Sequence, residues 1–258
     1  MTKKIIINAD DFGLKSSVNK AIVESFKSGT ITSTTLMANM PGFDEAVDMA
    51  HQNNLTNNIG IHLNLTEGIP LTRDILNTDL FYNENNVDLK RHKKNLFRLS
   101  GDDKALIFNE FSAQIEKVRK SGIQITHIDT HHHIDEIWTI TQIIQALLKK
   151  YNIPSMRILN NMNESTRFHK KMYRKLVNRL IKMNQANYTD FLGNQLEAVA
   201  RLMNDPSFCE DKKLEIMVHP DYNEGGLIID KISKREYTFD YPEQLAKIIA
   251  LQNKHSSF

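Results

Sequence analysis

The sequence predicts an α/β fold: a single domain whose parallel sheet closes, or nearly closes, into a (β/α) barrel. Three observations carry this expectation. Short β-branched runs alternate with amphipathic helical patterns along the chain, the order that a parallel sheet requires. At least six strand–helix units fit within 258 residues with no obvious linker, so residues 1–258 read as one domain. No G-x-G-x-x-G or Walker pattern is present, which favours a barrel over a doubly wound nucleotide-binding sheet.

Ile5-Ile6-Ile7-Asn8-Ala9 is β-branched and continuous, as in a strand buried on both faces. Ser16 or Ser17 can cap the helix that follows. Val18, Ala21, Ile22, Ser25 and Phe26 recur there at helical spacing, and Gly29 closes it. Residues 31–38 form a threonine-rich second strand, and Phe43, Ala46, Val47 and Ala50 mark a second helix. Residues 59–65 alternate cleanly, with Ile61, Leu63 and Leu65 on one face and Gly60, His62 and Asn64 on the other. Residues 66–101 break the rhythm: they are polar, asparagine-rich and weakly patterned, as in a lid or binding excursion. A helix resumes near Asp102 with Leu106, Phe111, Ile115 and Val118. Strands are expected at 123–129, 155–159 and 214–218. Helices are expected at 137–150, at 163–182 (strongly basic), around 196–203, and at 242–251, where Pro242 suits the first turn.

Composition narrows the function classes. Hydrophobic residues are 40% and charged residues 25% of the chain, as in ordinary soluble domains. Thirty-three lysines and arginines against 31 acids leave a net charge of +2, which gives no drive toward nucleic acid or membranes. One cysteine, Cys209, excludes an intrachain disulfide. The first apolar run stops at Asn8, Asp10 and Asp11, too early for a signal peptide, and the stretch 137–148 is too short to span a bilayer. A cytoplasmic location is expected.

In parallel α/β folds the chemistry stands at the C-terminal strand ends. Here those ends carry Asp10-Asp11, His62 with Asn64, the run His127-Ile128-Asp129-Thr130-His131-His132-His133, Arg157, and His219-Pro220-Asp221. Each has an ordinary structural explanation when taken alone. Asp-Asp is a common helix cap, His62 a satisfied core histidine and Arg157 an ion-pair partner; the basic helix with Lys170, Lys171, Arg174, Lys175 and Arg179 is a solvated face. The combination is harder to explain that way. Buried carboxylates and imidazoles are costly unless paired or bound to a cation, and one Asp with two His is a common divalent-metal set. Alternation along a strand puts His131 on the face of His127 and Asp129 and excludes an inward triple histidine.

With these residues assembled, the chain resembles the YdjC-like carbohydrate deacetylases, the family that includes chitooligosaccharide (diacetylchitobiose) deacetylases. The resemblance runs over nearly the whole chain. It rests on Asn8-Ala9-Asp10-Asp11-Phe12-Gly13, Thr32-Ser33-Thr34-Thr35, Gly60-Ile61-His62-Leu63-Asn64-Leu65-Thr66, Thr126 to His133, and Val218-His219-Pro220. It implies a barrel related to the polysaccharide deacetylase superfamily and one divalent metal, Mg²⁺ or Zn²⁺, held by Asp11, His62 and His131. It further implies Asp10 as general base, Arg157 as the group that orients it, and His219 as acid. The implied substrate is an N-acetylated sugar or short chitobiose-like oligosaccharide that releases acetate; a homodimer is the family-level expectation for assembly. The chain departs from the family pattern at Ile134-Asp135, where relatives often have Val-His, and at Asp221-Tyr222, where a small residue is usual. Asp135, His132 and His133 therefore receive no role. Two other classes compete: a barrel enzyme acting on another sugar bond (a phosphoesterase or an isomerase), and a non-catalytic carbohydrate-binding protein. Retention of Asp10 beside the expected metal ligand argues against the second.

Overall fold

The computed structural model describes residues 5–77, 82–83, 86–87, 99–185, 187–205, 207–208, 212–232 and 235–236. The expected closing helix at 242–251, Cys209 and much of the 66–101 excursion lie outside them.

The chain opens with β1 (Ile5–Phe12), α1 (Ser16–Lys27), β2 (Ser33–Leu36), α2 (Phe43–Gln52) and β3 (Ile59–Leu63). The excursion contributes a 3-10 turn, Asp74–Asn77, and two-residue strands β4 (Tyr82–Asn83) and β5 (Asn86–Val87), which pair antiparallel. Then come α3 (Gly101–Lys120), β6 (Ile128–Thr130), a 3-10 turn (His131–Glu136), α4 (Trp138–Tyr151), α5 (Phe168–Met183), β7 (Phe191–Asn194) and α6 (Gln195–Asn204). The described chain ends with β8 (Leu214–Val218), β9 (Pro220–Tyr222), β10 (Ile228–Asp230) and β11 (Arg235–Glu236), the last three forming a small antiparallel sheet.

The main sheet is parallel and curled, with six strands in the order β6-β3-β2-β1-β8-β7. The first and third expected strands and the 214–218 strand stand where the hydrophobic runs put them. The expected strand at 155–159 is different. It is an extended segment that meets β6 only at the Ile128–Met156 bridge, with Ile128 N donating to Ser155 O and Arg157 N to Ile128 O. Farther along, Asn161 N donates to Leu192 O of β7. This thin segment therefore touches both edges of the sheet, and the barrel is nearly rather than fully closed. It also delivers Arg157 to the interior, where the side chain is buried.

The core is the apolar lining of the sheet packed against α1 to α4, including Phe12, Ile22, Leu36, Ile59, Ile61, Leu63 and Phe111, all essentially inaccessible. Gly60 leaves room for a neighbour: a Cβ there would stand 2.5 Å from Cε1 of His127. Two helices carry full capping boxes, Ser100 with Asp103 on α3 and Asn194 with Glu197 on α6. The basic helix starts at Phe168, later than the periodicity predicts, because Asn160 and Asn163 turn the preceding chain. Their Oδ1 atoms accept from Met162 N and Asn163 N, and from Ser165 N. Lys170, Lys171, Lys175 and Arg179 are exposed, the solvated face expected, while Arg174 turns in to Glu136. Among the described residues no helix is long and apolar enough to cross a membrane.

Candidate metal centre and active site

The site is built at the C-terminal end of the sheet, and it begins with a backbone irregularity. The β1–β2 register shifts between Ala9 and Phe12, and Asp11 adopts φ 72°, a left-handed conformation that a non-glycine residue takes only under constraint. The bulge sends the two adjacent aspartates to different partners. Asp10 meets the Arg157 guanidinium, which donates from both Nη atoms to its two oxygens at 2.7 and 2.8 Å. Asp11 turns toward His62 and His131.

Three donor atoms then converge. Asp11 Oδ1 lies 2.9 Å from His131 Nδ1 and 3.3 Å from His62 Nε2, and the two nitrogens are 3.3 Å apart. Two ligands about 2.1 Å from one ion, at tetrahedral or octahedral angles, stand roughly 3.0–3.4 Å from each other. The triangle has the size of one face of a coordination shell. Asp11 Oδ1 is buried and makes no aligned hydrogen bond, as a ligand oxygen would be before it meets its ion. The chemistry of the set, two imidazoles and a carboxylate, fits a divalent cation.

The surrounding charge points the same way. Asp10, Asp11, Asp129 and Glu215 are all buried around one permanent cation, Arg157. Arg157 donates to Glu215 through Nε at 2.6 Å, and its Nη1 lies 2.7 Å from Asp129 Oδ2. Burial alone would raise the pKa of Asp10, but the Arg157 charge and hydrogen bonds override it and keep the carboxylate well below its usual range. Burial likewise opposes ionisation of Asp11, and the His131 and His62 rings reverse that effect. Burial would lower His62, yet the Asp129 charge and the bonds to Asp11 and Asp129 push it up to about 10. The cluster attracts positive charge.

All six residues singled out from the sequence meet here: Asp10 and Asp11 on β1, His62 on β3, His131 after β6, Arg157 on the 155–161 segment, and His219 directly after β8. His219 Nε2 stands 3.8 Å from Asp10 Oδ2. The parity argument for His131 holds only to the end of β6. His131–Glu136 is a 3-10 turn in which His132 and His133 take positive φ of 55° and 51°. His133 lies in the field of Arg157, and burial together with that cation pushes its pKa down to about 4, so it is neutral.

Four contributors received no role from the sequence, although Asp129 and Thr35 stand in the runs quoted there. Asp129 accepts from His62 Nδ1 at 2.7 Å and from Thr35 Oγ1 at 3.0 Å, and it stands opposite His62 in the β3–β6 register. Its place in a polar run at a strand end was a usable signal. Thr35 belongs to the quoted threonine run. Glu215, inside β8, and Glu67, after β3, carried no pattern that marked them.

Residues 4–249 match the family described as YdjC-like protein. The chain belongs to that family. Its YdjC-like relatives include a carbohydrate deacetylase of Clostridium beijerinckii, 33% identical over 87% of this chain and 84% of that protein. Another, from Listeria monocytogenes serotype 4a, is 34% identical over 85% of this chain and 82% of that protein. A crystal structure from Enterococcus faecalis V583, described as a cellobiose-phosphate cleavage protein, shares the fold of this YdjC-like chain. Its TM-score is 0.67 at 28% identity, covering 96% of this chain and 91% of that one.

Proposed function

We propose that the protein removes the acetyl group from an N-acetylated sugar or short chitobiose-like oligosaccharide, releasing acetate and a free amino sugar. The observation that carries this reading is the Asp11–His62–His131 triangle with Asp10 and His219 beside it. Carbohydrate deacetylase relatives over most of the chain support the reaction class. The six residues span β1 to the end of β8, which supports reading the chain as one functional unit bordered by the 66–101 excursion.

Asp11, His62 and His131 would hold one divalent ion, and two imidazole nitrogens favour Zn²⁺ over Mg²⁺. Such an ion supplies Lewis acidity, lowering the pKa of a water and polarising the acetyl carbonyl. The chain's own groups do the rest. Asp10, fixed by the Arg157 fork and by Asn8 Nδ2 at 2.9 Å, accepts a proton from the attacking water at Oδ2, the oxygen facing His219. His219 Nε2 delivers a proton to the sugar nitrogen as the C–N bond breaks, because an amide anion is too poor a leaving group to depart unprotonated. Arg157 keeps Asp10 ionised and aimed.

The test is acetate release from a panel of N-acetylated mono- and disaccharides, each with and without a 6-phosphate, on metal-reconstituted protein. The description of the Enterococcus relative motivates the phosphorylated members. Phosphate release or isomerisation without acetate would overturn the reading. Within it, Asp10→Asn should keep the metal and lose roughly 10²–10⁴ in turnover, the worth of a positioned base. Asp11→Asn should lose the metal itself. Equal, mild effects of both changes on metal content and kcat would remove the assignment.

A further inference from the structure

A neutral imidazole that offers one nitrogen lone pair to a cation carries its proton on the other nitrogen, and that N–H needs an acceptor. His62 follows this logic openly: Nε2 faces the triangle, and Nδ1–H donates to Asp129 Oδ1 at 2.7 Å. His131 is turned the other way. Its Nδ1 faces Asp11 and His62, so its Nε2 must carry the proton. That Nε2 is buried and makes no aligned hydrogen bond, and the carboxylate oxygen within reach is Glu67 Oε1 at 3.3 Å.

The loop is shaped to bring Glu67 there. Asn64 Oδ1 accepts from the backbone N–H groups of Thr66 and Glu67, while Asn64 Nδ2 and Asn39 Nδ2 both donate to Glu67 O. The backbone at Glu67 is thus pinned while its side chain is 40% exposed and can adjust. His132 completes the enclosure. Its Nδ1 lies 2.7 Å from Thr66 Oγ1, its Nε2 3.5 Å from the same Glu67 oxygen, and its ring centroid lies 3.8 Å from that of His131, the planes tilted by 41°. The left-handed backbone of His132 and His133 holds the turn in this packing.

We propose that Glu67 is a positioning residue: its carboxylate accepts the Nε2–H of His131 and so fixes the tautomer whose Nδ1 lone pair faces Asp11 and His62. This rests on the metal-site reading above. Glu67, His131 and His132 also lie close enough to one another to hold an ion. A second ion there would require His131 to surrender both ring protons while serving the first, so the hydrogen-bonded role is the one the geometry favours.

The test uses Zn²⁺ and the full-length protein. Chelator-competition titration should show Zn²⁺ affinity falling about 10–100-fold in Glu67→Ala, the usual effect of losing a ligand histidine's carboxylate partner. Glu67→Gln retains an acceptor oxygen and should recover most of that loss. In long-range ¹H–¹⁵N spectra of the zinc-loaded protein, the His131 Nε2–H should be protected from solvent exchange in the wild type, exchange faster in Glu67→Ala and regain protection in Glu67→Gln; equal exchange in all three would overturn the positioning role. If the wild type binds one zinc and His131→Ala abolishes it while Glu67→Ala leaves affinity unchanged, this inference fails and the site reading stands. If wild type binds none, the site reading fails first. Two zinc ions per chain, with Glu67→Ala losing one, would replace the positioning role by a second metal site.

Discussion

Asp10 and Asp11 are chemically identical neighbours, and the site gives them opposite company because one residue of β1 leaves the β region of backbone space. The motif containing them was visible in the sequence; the bulge was not, because nothing in Asn8-Ala9-Asp10-Asp11-Phe12-Gly13 compels a non-glycine residue to positive φ. Alternation of side chains predicts divergence of the pair, and the structure achieves it by a different device. Asp135 is a second case where environment decides. It is buried, it accepts from Thr130 Oγ1 at 2.7 Å, and burial pushes its pKa up to about 7 against the smaller opposing effects of Thr130 and Arg157. A carboxyl whose folded pKa exceeds its unfolded one gains a proton on folding, so stability falls as pH rises from about 4 toward 7 and stays low above it. Asp135→Asn removes this titration. Thermal melts at about pH 4.5 and pH 8 should show the variant gaining on the wild type only at the higher pH. A pH-independent difference would mean that Asp135 is ionised throughout.

At the scale of elements, the strands and helices that read clearly in the sequence are those with one buried face and strong periodicity, such as β3, α3 and β8. Pairing between strands was not legible. The carboxylate partner of His62 is Asp129 because β3 and β6 are adjacent and in that register, although 67 residues separate the two side chains in sequence. The 155–159 run has strand character but only one bridge, since it spans a gap between two sheet edges instead of joining a ladder. The excursion after β3 reads in the sequence as a weakly patterned lid or binding excursion, and its root is fastened. Buried Glu110 on α3 accepts from Leu71 N, Thr72 N and Thr72 Oγ1, and Gln114 on the same helix binds both Glu110 and the backbone of Asn64. Glu110→Ala leaves these donors without their acceptor and should cost about 2–4 kcal/mol in denaturant unfolding. It should also increase proteolytic cleavage near Leu71. Unchanged cleavage and unchanged stability would show that the root is held by other contacts.

For the molecule as a whole, near-neutral net charge conceals a sharply uneven interior: three buried carboxylates, Asp10 on β1, Asp129 on β6 and Glu215 on β8, share one guanidinium delivered by the 155–161 segment. Arg157→Met should therefore cost about 3–5 kcal/mol, because it strands buried negative charge. Removing one carboxylate in that background, as Glu215→Gln, should return part of the loss, read by thermal melts of the two single variants and the double. Strict additivity would mean that the four groups do not share one charge balance. The Arg157 bridge has an evolutionary consequence as well. A substitution at Asp10, Asp129, Glu215 or Arg157 is judged by the state of the other three, so steps that are individually harmful can be tolerated in combination. The centre is thus constrained by epistasis. Its members are expected to persist together or to be exchanged together, while the exposed cations of α5 are free to drift one at a time.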